Sequence, residues 1–505
     1  MTPISGPVAS TRTGEIVGED HGRVTVWKGI RYGEPPTGVL RWAAPVAARD
    51  SGGVIHATTF GAAAPQPDNK IIPLGDGVRT DEDCLFLNVW RPSAAAEGRP
   101  VMVWLHGGAY TFGAASQAVY DGAALVSTGD VVLVTVNYRL GALGFLDLRS
   151  LDGGEDAEPN PALRDVLLAL QWVQDNIRAF GGDPDRVTLF GESAGAGLVT
   201  ALLATPSADG LFHRAIAESS PASSMYGGTR AATVAGRFAE QVGASTLDEL
   251  RALPVEAIVA AAAQVYDAVP RERPGTLAFA PVVDGELLPE HPITVLSEGR
   301  GLRVPLIIGT NRDEATLFRF MNSPLMPIGA DAIEQMFATM LEEQPELPAP
   351  DREQVLAAYA NVKRKSLGLG IARDIGFRMP TVWLAAGHAA AAETYLYRFD
   401  HSTPLMRLAG IGAAHGAELA YVWGTLDAGS GPAFRLGGRR TAQRISERVQ
   451  RRWTEFANGR PPGDDWPAYD APARSTLVVA AKDRVVDDLD AALRTGWGDT
   501  VLAFR

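Results

Sequence analysis

Residues 180–195 read Phe-Gly-Gly-Asp-Pro-Asp-Arg-Val-Thr-Leu-Phe-Gly-Glu-Ser-Ala-Gly, and the last five constrain the fold more than any other stretch of the chain. A β-prone apolar run, Val187-Thr188-Leu189-Phe190, enters a G-x-S-x-G turn. Ala, Leu and Val at helical spacing then follow from Ala194 to Ala204. Strand, turn and helix in that order hold the Ser193 hydroxyl out at the end of a strand. The turn leaves no room for a Cβ at Gly191 or Gly195, which is why both positions need glycine. The plain alternative is a serine in an ordinary strand-to-helix turn, so the rest of the chain has to decide.

Apolar strand-like runs recur at 101–105, 131–136, 187–190, 215–217, 304–309, 395–399 and 476–480, with helical segments between them. Alternating strands and helices imply a mostly parallel sheet covered on both faces. The segment 159–180 reads as a crossover helix with Leu163, Val166, Leu167, Leu170, Val173 and Ile177 on one apolar stripe. Residues 439–458 read as a late helix bounded by Gly-Gly and Gly-Arg-Pro-Pro. No repeat and no Pro- or Ser-rich linker divides the chain. We therefore expect one unit over 1–505, with helical excursions at about 229–266 and 327–390.

A chain of 505 residues that is 46% apolar can bury a large core. Its net charge of −13 speaks against nucleic acid or an anionic membrane surface as a partner, since either needs a basic face. Residues 1–7 lack the basic-then-apolar run of a signal peptide, and no apolar stretch is long enough to span a bilayer. The expected location is the cytoplasm. Cys84 is the only cysteine, so no intrachain disulfide can form, which suits a reducing compartment. The histidines are dispersed without H-x-x-x-H spacing, and no G-x-x-x-x-G-K-[ST] loop occurs, so neither a metal nor another cofactor is expected.

A serine hydroxyl is a weak nucleophile near neutral pH and needs a base held in place by a third group. Of eight histidines, His415 stands out, in a Gly- and Ala-lined turn, Gly412-Ala413-Ala414-His415-Gly416-Ala417-Glu418, after the 395–399 run. The other seven read as surface, helix or, for His106, the edge of a glycine turn. An acid follows the 304–309 run in Thr310-Asn311-Arg312-Asp313-Glu314, where Asp313 and Glu314 are both available, for orienting a histidine or for capping the next helix. Val103-Trp104-Leu105-His106-Gly107-Gly108-Ala109 ends a strand in paired glycines that leave backbone N–H groups exposed. Those of Gly108 and Ala109, with that of Ala194, would form a three-donor oxyanion hole.

With these residues in place, the chain resembles the type-B carboxylesterases over nearly its whole length. The resemblance also rests on Gly29-Ile30-Arg31-Tyr32, Arg41-Trp42, Glu82-Asp83-Cys84-Leu85-Phe86-Leu87-Asn88-Val89-Trp90, Asn137-Tyr138-Arg139, Trp172 through Pro184, and Trp466-Pro467-Ala468-Tyr469. It implies the α/β-hydrolase fold, with Ser193 as nucleophile, Glu314 rather than Asp313 as the acid, His415 as the base, and Gly108, Ala109 and Ala194 as the oxyanion hole. It also implies a buried polar group of Glu192, Ser219 and Glu418 beside the triad. The family's usual Gln-Ser-Gly is here Glu218-Ser219-Ser220, a departure that bears on this group. Secreted members usually pair the cysteine matching Cys84 with one in an F-G-x-x-C-P-Q segment; here Ala64 stands at that place, so Cys84 is expected free and buried. Cholinesterases carry a choline-binding tryptophan in the stretch matching 69–83, which holds no aromatic residue here, so choline esters are not the expected substrates.

The reading is a cofactor-independent serine esterase acting on small-molecule esters of short to medium acyl or aryl groups, as a monomer or small homo-oligomer. Tyr110, Phe112, Met225, Tyr226 and Phe318 lie beside the catalytic segments and are candidate pocket residues. Amide or carbamate hydrolysis would use the same triad. A non-catalytic binding protein on the same scaffold is the rival from another class, and the intact Ser193, Glu314 and His415 speak against it. The sequence predicts that the rate falls below about pH 6.5 as His415 protonates, read from a kcat/KM profile.

Overall fold

A computed structural model describes residues 6–69, 73–345, 352–360, 362–363, 366–428 and 431–504; the remainder of the expected 327–390 excursion lies outside them. Among the described residues the main sheet has eleven strands. In chain order these are β1 (Glu19–Asp20), β2 (Val24–Arg31), β3 (Phe86–Pro92), β4 (Arg99–Leu105), β5 (Val132–Val136), β6 (Gly182–Glu192), β7 (Arg214–Glu218), β8 (Leu306–Asn311), β9 (Thr394–Phe399), β10 (Thr476–Val479) and β11 (Arg484–Val486). Across the sheet they run β11-β10-β9-β8-β7-β6-β4-β5-β3-β2-β1. The stretch from β10 to β5 is parallel throughout, and β11, β3, β2 and β1 join antiparallel at the edges. A smaller sheet of Val8–Thr11, Gly14–Val17 and Val54–His56 lies beside it in sequence.

The parallel strands are apolar on both faces because helices cover both. In β4, Val101, Val103 and Leu105 enter one core cluster while Met102 and Trp104 enter the other. The same alternation separates Leu306 and Ile308 from Ile307 in β8. The second cluster is aromatic at its centre, with Trp104 4.7 Å from Phe190 and 5.1 Å from Trp423, centroid to centroid.

Most expected elements lie within a residue or two of their observed bounds. The expected crossover is the helix Pro161–Asn176 continued by a 3₁₀ turn, Ile177–Phe180, with Pro161 at its first position, where no N–H is needed. The late helix is Arg439–Ala457. The larger difference is β6, expected only over 187–190 but beginning at Gly182. A register shift against β4 between Arg99 and Val101 absorbs Pro100 and Pro184, neither of which can donate to the ladder. The antiparallel edge strands went unread: β1 and β11 are very short, and polar residues such as Thr25, Lys28 and Asn88 break the apolar runs of β2 and β3.

Asn137-Tyr138-Arg139, directly after β5, braces the loop after β4. Tyr138 stacks on His106 with centroids 4.5 Å apart and donates its hydroxyl to the His106 carbonyl. Asn137 accepts from the Ala115 N–H at 2.8 Å. Arg139 forms a two-pronged ion pair with Asp165 of the crossover helix at 2.7 and 2.8 Å, both side chains being buried. Removing the carboxylate would strand a buried guanidinium. We expect Asp165→Ala to lose about 3–5 kcal/mol of stability, seen as a lower urea midpoint with unchanged slope.

Candidate active site

Ser193, Glu314 and His415 come from loops that follow β6, β8 and β9, at one end of the parallel strands, the edge at which open α/β sheets bind ligands. Ser193 has φ 55° and ψ −123°, a strained conformation for a residue with a side chain. Its N–H donates to the Glu218 carbonyl at 2.9 Å, while its own carbonyl accepts from Gly197 at 2.8 Å as the helix Ala194–Leu203 begins. A Cβ on Gly195 would lie 2.0 Å from the Leu105 carbonyl oxygen, and one on Gly191 would lie 2.6 Å from the Gly195 carbonyl carbon. The crowding expected at both positions is therefore present.

The Ser193 Oγ lies 2.8 Å from His415 Nε2, and His415 Nδ1 lies 2.7 Å from Glu314 Oε2. The other carboxylate oxygen of Glu314 accepts from Ser219 Oγ and from the Asn311 N–H, each at 2.6 Å. Those two bonds fix the carboxylate plane, and the carboxylate assigns Nδ1–H as the donor, leaving Nε2 free to accept from the serine. Asp313 has the other job. Its Oδ2 accepts from the Ala413 N–H at 2.9 Å and its N–H donates back to the Ala413 carbonyl, tying the acid loop to the histidine loop.

Beside Ser193 runs the loop after β4. A Cβ on Gly107 would sit 3.1 Å from Ser193 Cβ and 2.6 Å from Glu192 Oε2, so Gly107 is required by close approach. Gly108 has φ 122°, and Ala109 and Tyr110, although not glycines, have φ 51° and 58°. This run of left-handed backbone turns successive N–H groups to one side, as in an anion-binding nest. Among the described residues no backbone or side-chain acceptor takes the N–H of Gly108, Ala109 or Ala194. Ala109, Ser193 and Ala194 share the wall of one cavity.

Buried carboxyls surround the histidine. Glu192 Oε1 lies 3.4 Å from His415 Nε2, without hydrogen-bond geometry. Glu418 accepts from the Asn311 side chain, which belongs to the residue whose N–H holds Glu314. Glu218, paired across the sheet with Glu192, accepts from Trp453 Nε1 at 2.6 Å. Burial pushes Glu218 up to about 8 and raises Glu192 and Glu418 as well. Burial also disfavours the imidazolium, but Glu192 and Glu314 outweigh it and hold His415 up at about 8.

The cavity beside Ser193 encloses about 600 Å³ including its mouth. Of the candidate pocket residues, Tyr110 and Phe318 line it. Phe112, Met225 and Tyr226 do not: Phe112 packs edge-on against Tyr266, Met225 lies in the core, and Tyr226 uses its hydroxyl to accept the Leu277 N–H. Each sits next to a catalytic segment in sequence but is buried without lining the cavity. Phe377, which sequence reasoning missed, packs 4.7 Å from the His415 ring and with Phe318, at 5.3 Å, covers it. It lies in a single π-helical turn, Asp374–Arg378, between Leu367–Arg373 and Met379–His388, an irregularity frequent at functional sites and without a sequence signature of its own.

The description "Carboxylesterase family" belongs to a family model that matches residues 5–493. The chain belongs to the carboxylesterase family. It is 35% identical to the para-nitrobenzyl esterase of Bacillus subtilis (strain 168), over 96% of this chain and 97% of that protein. It is 32% identical to phenmedipham hydrolase of Pseudarthrobacter oxydans (94% and 95% covered) and 33% identical to liver carboxylesterase 1 of Oryctolagus cuniculus (93% and 89% covered). Among solved structures, a thermophilic PNB esterase superposes with a TM-score of 0.86 at 34% identity, covering 98% of this chain and all of that one. A carboxylesterase of Geobacillus stearothermophilus does so with a TM-score of 0.83 at 33% identity, covering 97% and 100%. The fold is that of the α/β-hydrolases, and the chemistry of this carboxylesterase is serine-dependent hydrolysis of carboxylic esters. Cys84 is free and buried, as expected. Among the described residues no helix is long and apolar enough to cross a membrane, and no group of three or more His, Cys, Asp or Glu side chains could hold a metal ion.

The carboxylates around His415 move the expected acid limb upward. His415 must be neutral to act as a base, and because its folded pKa is raised, kcat/KM should fall below about pH 8 rather than below the ordinary imidazole range. Glu192→Gln removes one of the two supporting charges and is expected to shift the limb to lower pH, read from kcat/KM profiles of variant and wild type.

Proposed function

We propose that Ser193 is the nucleophile, His415 the general base and acid, Glu314 the residue that orients and supports His415, and that the N–H groups of Gly108, Ala109 and Ala194 form the oxyanion hole. The observation that carries this reading is the continuous chain Ser193 Oγ, His415 Nε2, His415 Nδ1, Glu314, with both oxygens of Glu314 occupied. His415 takes the serine proton as Oγ attacks the ester carbonyl, and negative charge develops on the carbonyl oxygen against the three N–H groups. The alcohol departs with the proton from His415, leaving an acyl-Ser193. Water, deprotonated by His415, then attacks the acyl carbon, and the acid leaves as Ser193 recovers its proton. Glu192 adds a second negative group beside the imidazolium that forms twice per turnover. Ser219 and Glu418 act one step removed, through Glu314 and Asn311.

The substrates we propose are neutral esters with short to medium acyl or aryl groups. The cavity wall is dominated by apolar side chains such as Phe318, Leu325, Met326 and Phe377, and among the described residues no charged side chain lines it. The chain is proposed to act as one catalytic unit, as a monomer or small homo-oligomer, with the excursions around 229–266 and 327–390 forming the gorge; Met336, Ala372 and Phe377 support the second of these. The single reduced Cys84 supports a cytoplasmic location. The test is hydrolysis of para-nitrophenyl esters by wild type and Ser193→Ala, with mass spectrometry after a serine-directed organophosphate. We expect a loss on the order of 10⁴-fold or more in the variant and one adduct on Ser193. Retained turnover in Ser193→Ala, or an adduct elsewhere, would overturn the assignment.

A further inference from the structure

The cavity beside Ser193 has two kinds of wall. Phe318 and Phe377 pack on the His415 ring. A departing alcohol must collect its proton from His415 Nε2, so the alcohol lies toward these rings. A second group of lining residues, Gly275, Met336 and Phe504, makes no ring contact with His415 among the described residues. These close on one another: a Cβ on Gly275, itself at φ +84°, would lie 2.7 Å from Phe504 Cζ and 2.9 Å from Met336 Sδ. That wall leaves no space for a further methyl group at the Gly275 position.

Phe504 is far from every other site residue in sequence, yet it is buried and held from several sides. Its N–H donates to the Ser223 carbonyl at 3.0 Å, and the buried Gln344 side chain donates to the Ala503 carbonyl at 2.5 Å. The Arg230 guanidinium lies 4.4 Å from the Tyr226 ring centroid and 5.7 Å from that of Phe504, and pairs with Glu343 at the end of the helix Ala330–Glu343. Tyr226 in turn holds the Leu277 N–H, two residues beyond Gly275. A cation packed on aromatic faces in a buried setting resists displacement of the rings, so the wall is stiff.

We propose that Phe504 is a specificity-determining residue: it closes the acyl end of the pocket and sets the acyl-chain length that this esterase accepts. The proposal rests on the reading of Ser193 as the nucleophile. An acyl chain short of the Phe504 ring is buried against apolar wall, whereas a longer one must displace a ring that is backed by Arg230 and whose backbone N–H is held by the Ser223 carbonyl. Replacing the ring by a methyl group opens space for several methylenes, each worth about fourfold in kcat/KM when buried.

The experiment compares wild type, Phe504→Ala and the milder Phe504→Leu on two substrate series, para-nitrophenyl esters from acetyl to decanoyl and acetates of alcohols of increasing size. The expected result is a rise of about tenfold or more in the ratio of long-acyl to acetyl kcat/KM for Phe504→Ala, a smaller rise for Phe504→Leu, and an unchanged ranking in the alcohol series. Should Phe504→Ala fail to fold, Phe504→Leu and Met336→Ala, which opens the same wall, give the same reading. An acyl profile that stays at the wild-type pattern, or a change confined to the alcohol series, overturns the proposal. Wild-type protein that neither turns over esters nor takes an adduct on Ser193 overturns the underlying reading instead, so the two failures are distinguishable.

Discussion

The site depends on one strained turn and on the backbone packed against it. Ser193 can hold φ 55° and ψ −123° only because Gly191 and Gly195 let the turn press against the Leu105 carbonyl at the end of β4. The same contact sets the distance between β6 and the Gly107-Gly108-Ala109 loop, since that loop leaves β4 one residue after Leu105. Ser193 and the N–H groups proposed as oxyanion donors are thus placed by a single backbone approach, with no flexible side chain between them. The brace from Tyr138 to the His106 carbonyl, with the Arg139–Asp165 pair behind it, keeps the loop from relaxing away.

Electrostatics form the second layer. Glu192, Glu218, Glu314 and Glu418 are all buried around one histidine, and four ionised carboxylates could not share that volume without a large cost. Burial eases this by favouring the neutral carboxyl at Glu218 and Glu418, whereas at Glu192 the facing His415 offsets part of the upward push of burial, and Glu314 accepts two donors on a single oxygen. Glu218 stands where the resembling family usually has glutamine. Its Oε1 accepts from Trp453 at 2.6 Å, while its other oxygen has no hydrogen-bond partner among the described residues; a protonated carboxyl, like an amide, combines one acceptor oxygen with a donor. Glu192 and Glu314 thus support the imidazolium that the proposed cycle forms twice, while burial favours the neutral form of the more distant Glu218 and Glu418.

Much of this was legible from local pattern. Val187 to Gly195 names its own strand, turn and helix, and the apolar runs on both faces of the parallel strands announce their burial. The antiparallel edge strands and the early start of β6 were not legible, because very short strands (β1, β11), apolar runs broken by polar residues (β2, β3) and a proline-bearing bulge lack a continuous pattern. Phe112, Met225 and Tyr226 show the limit from the other side: proximity in sequence to a catalytic segment does not say toward which side of the backbone a ring points. Phe377 and Phe504 had no signal at all, the first depending on one π-helical turn and the second on how residues 502–504 pass the Ser223 carbonyl.

The sequence by itself pointed to the elbow, the glycine-bearing loop after β4, the separate turns that carry Asp313-Glu314 and His415, and the parallel core, because each of these depends on residue types within a few positions of one another. Only the tertiary structure decided that Asp313 bonds the histidine loop while Glu314 accepts from the His415 ring, that Glu192 joins Glu314 in raising His415, and which aromatic side chains bound the cavity. Those outcomes depend on distances between residues far apart in the chain, such as His415 to Ser193 and Phe504 to Gly275. Such distances are set by the packing of the whole sheet and its helices, and no local pattern encodes them.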